Sequence, residues 1–263
     1  MRFTIFGATG FIGSFLLEHL RAQGHDCIAP EREEIPTSQD LGHVFYCIGL
    51  TADFRTRLAD TVNAHVCHLL QILTRCTFDR LCYLSSTRVY SGQDVGIESA
   101  MLTVDPSNPS DVYNISKLMG ESACLNISKK TVVVRLSNVF HPNDTSDNFL
   151  NSILREAATG RLVLQTSLDS AKDYILLDDV VTLLPQILES GKERIYNLAS
   201  GKNTTHKEIV EQIGCEVKVL PDVPRVIYPS ISVERLHKEF GNITSNILES
   251  ISQTLNDVEK LHS

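Results

Sequence analysis

Arg2-Phe3-Thr4-Ile5-Phe6-Gly7-Ala8-Thr9-Gly10-Phe11-Ile12-Gly13 is the stretch that decides the fold. Residues 2–6 read as a strand, and three glycines spaced by three follow at once. A helix then takes over, with Ile12, Leu16, Leu17 and Leu20 at spacings that share one face. Gly24 stands where helices end, and 26–29 forms a second short strand. Strand, helix and strand in this order build a parallel sheet.

Working outward, 44–48 is the next strand. Only residues 30–43 precede it, and Pro30, Pro36 and the lack of a helical period make that region a trimmed loop. Val62, Val66, Leu69, Leu70 and Leu73 mark a helix, and 81–84 a strand. Residues 91–111 are rich in Gly, Ser, Asp and Pro and read as a long loop of the functional kind. A helix over 113–126 and a nearly all β-branched strand over 131–136 complete the first half. Beyond Asn138 the alternation weakens: helices over 148–159, 178–188 and 247–258, strands over 161–164, 194–198 and 217–220. The expectation is an α/β fold, a Rossmann-type doubly wound parallel sheet with a small C-terminal substrate lobe. Residues 1–140 would be the dinucleotide-binding core, and 141–263 mostly the lobe, with segments returning to the core.

The chain has 263 residues and a formal net charge of −8. That balance argues against nucleic acid or an anionic membrane as partner. No apolar run is long enough to span a bilayer, and the N-terminus lacks the pattern of a secretory signal. Seven cysteines without a Cys-x-x-Cys pair suggest reduced thiols in a cytoplasmic protein. His65, Cys67 and His68 lie close together, but in a helix only the two histidines share a face, so no metal site is expected.

Four constellations carry chemistry. The glycines Gly7, Gly10 and Gly13, with Phe11 and Ile12 opening the helix, suit a dinucleotide: the turn lets backbone approach a pyrophosphate, and the helix start offers free N–H groups. At the end of the second strand, Glu31 could accept from the adenosine ribose hydroxyls of NAD, and Arg32 could pair with the extra phosphate of NADP. Both are present, so the cofactor reads as NAD or NADP. Tyr113 and Lys117 are one helical turn apart, and an ammonium near a phenol favours the phenolate. Taken alone, the pair equally suits a surface i,i+4 contact. Ser86 ends a buried strand, where ligands of open α/β sheets collect; a cap or turn is its structural alternative.

The ordered set resembles the extended short-chain dehydrogenases/reductases of the NAD-dependent epimerase/dehydratase family. The resemblance rests on the glycine motif, Ser85-Ser86-Thr87-Arg88-Val89-Tyr90 and Tyr113-Asn114-Ile115-Ser116-Lys117. It extends through Arg135-Leu136-Ser137-Asn138, Lys172-Asp173-Tyr174 and Tyr196-Asn197-Leu198. It implies that Tyr113 is the acid/base, that Lys117 also binds the nicotinamide ribose, and that Ser86 polarises the substrate oxygen. It further implies that Thr87, Asn138 and Lys172 meet substrate, Lys172 at its diphosphate, and that Cys47, Ile48 and Gly49 line the adenosine side of the cofactor. A nucleotide-sugar substrate and a homodimer built on the 113–126 and 61–74 helices are implied too. The chain departs from the dehydratases of the family: Thr87 and Arg88 stand where an Asp-Glu pair is usual, which disfavours water elimination. A 4-epimerase or a 4-ketoreductase remains, with a non-sugar carbonyl reductase or a non-catalytic cofactor-sensing module as alternatives.

Overall fold

A computed structural model describes the chain apart from residues 38, 39, 52, 143, 145–147, 158 and 263, and apart from the side chains of 256–262. Its elements run β1 (Arg2–Phe6), α1 (Phe11–Ala22), β2 (Asp26–Ile28), β3 (His43–Tyr46), α2 (Leu58–Val62), α3 (His68–Arg75), β4 (Arg80–Ser86), β5 (Val95–Gly96), α4 (Val112–Ile127), β6 (Thr131–Leu136) and β7 (Asn138–Phe140). Then come α5 (Phe149–Ala157), β8 (Arg161–Leu164), β9 (Ala171–Leu176), α6 (Leu177–Ser190), β10 (Ile195–Leu198), β11 (Asn203–Thr205), α7 (His206–Ile213), β12 (Glu216–Val219), β13 (Ser230–Ile231), α8 (Glu234–Phe240) and α9 (Ile247–His262).

Six strands form one sheet in the order β10-β6-β4-β3-β1-β2, and every pairing in it is parallel. Successive side chains of a strand face opposite ways. In β6, Val132 and Val134 join Phe3, Ile5, Phe45 and Leu84 under α1 and α6, whereas Val133 joins Val44, Tyr46, Leu81 and Tyr83 under α3 and α4. Two apolar layers sandwich the sheet, which is why β6 has no polar side on which to alternate: all six of its residues are buried. The doubly wound sheet expected from the opening motif is the observed one.

The helix signalled by Val62 to Leu73 is continuous in space, but residues Asn63–Cys67 adopt the wider π spacing. Here carbonyls are drawn out to phenols: Tyr46 donates to the Ala64 carbonyl at 2.6 Å, and Tyr83 to the His65 carbonyl at 3.2 Å. A hydrophobic period alone does not reveal such a bulge, because its cause lies on two other strands.

The second half is more regular than its sequence suggests. Strand β9 lies between β7 (parallel) and β11 (antiparallel), and β8 pairs with β12. Helix α7 carries a signal that the reading overlooked: Thr205 accepts from the Glu208 amide while the Glu208 carboxylate takes the Thr205 amide, and Gly214 ends the helix in the left-handed conformation. The loop over 91–111 is pinned by β5 pairing with β13 and by buried Glu98, whose carboxylate takes the Asn197 amide at 3.2 Å. Among the described residues no helix is long and apolar enough to cross a membrane.

Candidate active site

A cavity of about 470 Å³ opens at the C-terminal ends of β3, β4 and β6. The turn after β1 forms one end of it. Gly7 has φ +82°, and a Cβ there would stand 3.0 Å from the backbone of Cys47 and Ile48. A Cβ on Gly13 would lie 2.2 Å from the Gly7 carbonyl oxygen. These two glycines let α1 start hard against the end of β3, and neither reaches the cavity wall. Gly10, Phe11 and Ile12 do. Gly10 caps α1 without a side chain, so the first amides of the helix stay open to an anion. Gly13→Ala is expected to push the turn apart and abolish dinucleotide binding in calorimetric titration; unchanged affinity would show that the helix start plays no part in binding.

Cys47, Ile48 and Gly49 run past the glycine turn along the same wall. A Cβ on Gly49 would sit 3.5 Å from both the Lys117 Nζ and the His65 Nε2. His65 is fully buried. Its Nε2 accepts the Leu50 amide at 3.1 Å, and its Nδ1 bonds to Ser116 Oγ at 2.8 Å. Ser116 Oγ in turn donates to the Tyr113 carbonyl at 2.9 Å. Burial, and after it the Lys117 charge, push the imidazole pKa down to about 2, so it is neutral and rigidly partnered. His65 thus ties the loop after β3 to the helix that carries Tyr113 and Lys117. His68, next to Cys67, packs instead against the rings of Phe6 and Tyr46.

Ser86, Tyr113 and Lys117 meet on the middle wall. Ser86 is the last residue of β4. Its Oγ accepts the Arg88 amide at 3.2 Å, capping the short 3₁₀ turn over Thr87–Tyr90, and the same hydroxyl acts on the Tyr113 phenol. The cap expected as the structural alternative is present, and the same serine lines the cavity. Its neighbour Ser85 turns away to Glu121, 2.5 Å from Oε1. Tyr113 is buried, with its ring edge-on to His65 at 5.2 Å. Burial raises its pKa; the Ser86 hydrogen bond and the Arg88 charge pull it back. Two cations flank the ring, Arg88 at 5.6 Å and Lys117 at 5.9 Å from its centre, so the lysine expected from the sequence is joined by an arginine that it did not point to.

Lys117 Nζ donates to the Leu84 carbonyl at 2.8 Å. Burial lowers its pKa to about 8, and the Glu121 carboxylate opposes that shift. A lysine with a depressed native pKa binds fewer protons than the unfolded chain between about pH 8 and its ordinary value of 10.5. Stability contributed through this group therefore rises with pH across that window. Lys117→Met is expected to flatten the melting temperature against pH between 8 and 10; an unchanged slope would mean that Lys117 is not the group responsible.

At the far end, Asn138 donates to the Asp173 carbonyl at 2.8 Å and shares the wall with buried Thr87 and with Lys172, whose Nζ lies 4.7 Å over the Phe149 ring. Glu31 and Arg32 are exposed in the loop after β2, outside the cavity wall, and the Glu31 amide is taken by the Glu34 carboxylate. Residues that the sequence did not single out also line the cavity: Thr51, Phe149 and Tyr228. They come from separate elements, and no local pattern links them. Arg88 stands in the Ser85–Tyr90 segment, where the sequence shows only that an acidic pair is lacking.

In sequence comparison, this chain is 27% identical over 166 residues to the dTDP-4-dehydro-6-deoxyglucose reductase of Escherichia coli, a match covering 59% of this chain and half the length of that enzyme. It is 21% identical to the mitochondrial NADH-ubiquinone oxidoreductase 40 kDa subunit of Neurospora crassa, over 97% of this chain and 74% of that protein. In structure it resembles MoeE5 in complex with UDP-glucose and NAD, with a TM-score of 0.82 and 19% identity over the whole of both chains. The family model described as NAD dependent epimerase/dehydratase matches residues 3–59 and 34–199, well over half of the sequence. The chain belongs to the NAD-dependent epimerase/dehydratase family.

Proposed function

We propose that the protein is an NAD(P)-dependent 4-epimerase or 4-ketoreductase of a nucleotide-activated sugar. The observation that carries this reading is the position of Ser86, Tyr113 and Lys117 on one cavity wall, between the open start of α1 and the Asn138–Lys172 end. Gly10, Phe11 and Ile12 fit a pyrophosphate, since Gly10 presents no side chain there and the first helix amides are unpaired. Cys47, Ile48 and Gly49 would flank the dinucleotide, with Lys117 beside Gly49 in reach of a ribose. When bound, NAD(P) supplies a hydride acceptor or donor for a sugar carbon.

Tyr113 carries the proton of the sugar oxygen, and Ser86 Oγ holds that oxygen against the phenol. Lys117 places a positive charge below the phenol and the ribose together. Asn138 and Lys172 orient the sugar and its diphosphate. Thr87 and Arg88 offer no carboxylate for water elimination, which favours epimerisation or reduction over dehydration.

The test is to denature the purified protein and identify any released nucleotide. Near-stoichiometric NAD supports an epimerase that recycles its cofactor; empty protein that takes up NADPH and reduces a 4-keto nucleotide sugar supports the reductase. A second reading is a cofactor-binding module without turnover, for which the likeness to one subunit of a mitochondrial NADH-ubiquinone oxidoreductase leaves room. Bound cofactor that no nucleotide sugar ever oxidises or reduces would support it and sink the enzyme.

A further inference from the structure

Among the described residues, three basic side chains line the cavity, Arg88, Lys117 and Lys172, against one carboxylate, that of Asp173. The chain as a whole carries −8, so the cavity field runs opposite to the rest of the molecule. Asp173 is already engaged: its oxygens take the Ser200 amide at 3.0 Å and the Ser200 hydroxyl at 2.9 Å. Lys117 is committed to the Leu84 carbonyl. Among the described residues, neither Arg88 nor Lys172 forms an ion pair. Lys172 lies instead between the Phe149 ring and the Tyr228 ring, at 4.7 and 5.7 Å. The Arg88 guanidinium lies over the Phe54 and Tyr113 rings, 4.9 and 5.6 Å from their centres.

Two half-buried cations without a counter-ion among the described residues face one cavity. A nucleotide sugar brings one anionic group in common to all its kind, the diphosphate, and Lys172 with Asn138 answers it at the far end. Arg88 is left over, and its position is different. It stands directly against the phenol of Tyr113, and its charge is felt by both Tyr113 and Lys172. One nitrogen donates to the Ser110 carbonyl at 3.3 Å, which leaves most of the five guanidinium donors unused. Contact with two rings restrains the guanidinium beside the phenol, and its planar fork suits the two oxygens of a carboxylate.

We propose that Arg88 binds a carboxylate on the sugar, at the ring carbon next to the one that Tyr113 serves, so that the substrate is a nucleotide-linked hexuronate and not a neutral hexose. This rests on the reading of Tyr113 as the group at the reacting carbon of a nucleotide sugar. An Arg at this place would also explain why the segment carries no acidic pair: a carboxylate beside the phenol would repel the substrate's own.

The experiment measures dissociation constants by calorimetry with saturating NAD. The probes are UDP-glucuronate against UDP-glucose, and GDP-mannuronate against GDP-mannose, with the wild-type protein, Arg88→Gln and Arg88→Lys. The wild type is expected to prefer one of the uronates to its neutral partner by about tenfold or more. Arg88→Gln should weaken that uronate by about 10–100-fold, the range of a hydrogen-bonded charge pair, and change the neutral sugar less than about threefold. Arg88→Lys, which keeps the charge and loses the fork, should fall between. Equal loss for uronate and neutral sugar would overturn the proposal, because Arg88 would then serve the diphosphate or the fold. So would a wild type that binds the neutral sugar as tightly as the acid; the nucleotide-sugar reading survives that outcome. If wild-type protein binds NAD but none of the four sugars, both fall together. NAD affinity of each variant reports whether its cavity is intact, and if Arg88→Gln loses it the comparison rests on Arg88→Lys.

Discussion

Tyr113→Phe is expected to lower kcat by about 10²–10⁴-fold, the usual contribution of a positioned acid or base, while cofactor binding and melting temperature stay near wild type. The ring keeps its packing against His65 and Phe54, at 5.2 and 5.3 Å between centroids. Only the hydroxyl and its interaction with the Ser86 hydroxyl are lost. A phenol raised by burial stays protonated at neutral pH, so reduction, which consumes its proton, is the direction it is set up for in the free protein. Turnover of a nucleotide sugar near the wild-type rate would sink the mechanism. Loss of cofactor binding together with turnover would instead mean that the ring, not the hydroxyl, is what matters.

The second large effect concerns stability. Glu121 and Arg135 are each only 4% exposed and form a two-pronged pair, Nε to Oε1 at 3.0 Å and Nη2 to Oε2 at 2.6 Å. The pair is the hub of a buried network. Ser85 donates to Glu121, Arg135 Nη1 donates to the Tyr90 hydroxyl at 2.7 Å, and Tyr90 donates to Asn197 at 2.8 Å. It therefore fastens α4, β4, β6 and β10 to one another just below the cavity. Glu121→Ala would strand a buried guanidinium and is expected to cost about 3–5 kcal/mol in urea unfolding. Glu121→Leu combined with Arg135→Met should recover much of that loss, because no buried charge remains unpaired. A double variant as unstable as the single one would assign the effect to packing. Glu121 also supports the charge on Lys117, one helical turn away. Glu121→Gln should lower the Lys117 pKa further and move the alkaline limb of kcat/KM to lower pH. An unmoved limb would separate the network from the chemistry.

How much of this was legible in the chain follows from the range of the forces involved. The stretch from Arg2 to Gly13 is a local text: strand, turn and helix start are set by backbone sterics and by spacing along a few residues. It determined the parallel sheet, and β6 declared its two-sided burial by its β-branched run. The Tyr113–Lys117 pair was equally readable, because one helical turn places both on the same face. The roles that hang on these residues in the proposed reaction were reached through family resemblance, not through spacing.

Other features were written in no local pattern. The π segment at Asn63–Cys67 answers to phenols of β3 and β4. Strands β7 and β9 are short and gain their identity only by pairing with each other. The position of Glu31 and Arg32 outside the cavity follows from the course of the loop after β2, which the sequence marks as a loop without setting its path. Arg88 was in plain view, yet its meaning depends on Phe54, Ser110 and Tyr113 converging on it from three directions. The sequence by itself determined where the strands, the glycine turn and the candidate catalytic side chains fall along the chain, since steric and periodic rules act over a few residues. Only the tertiary structure decided which charges stand unpaired in the cavity and which are spent in the core, because desolvation and Coulomb attraction depend on neighbours that are distant in sequence and close in space.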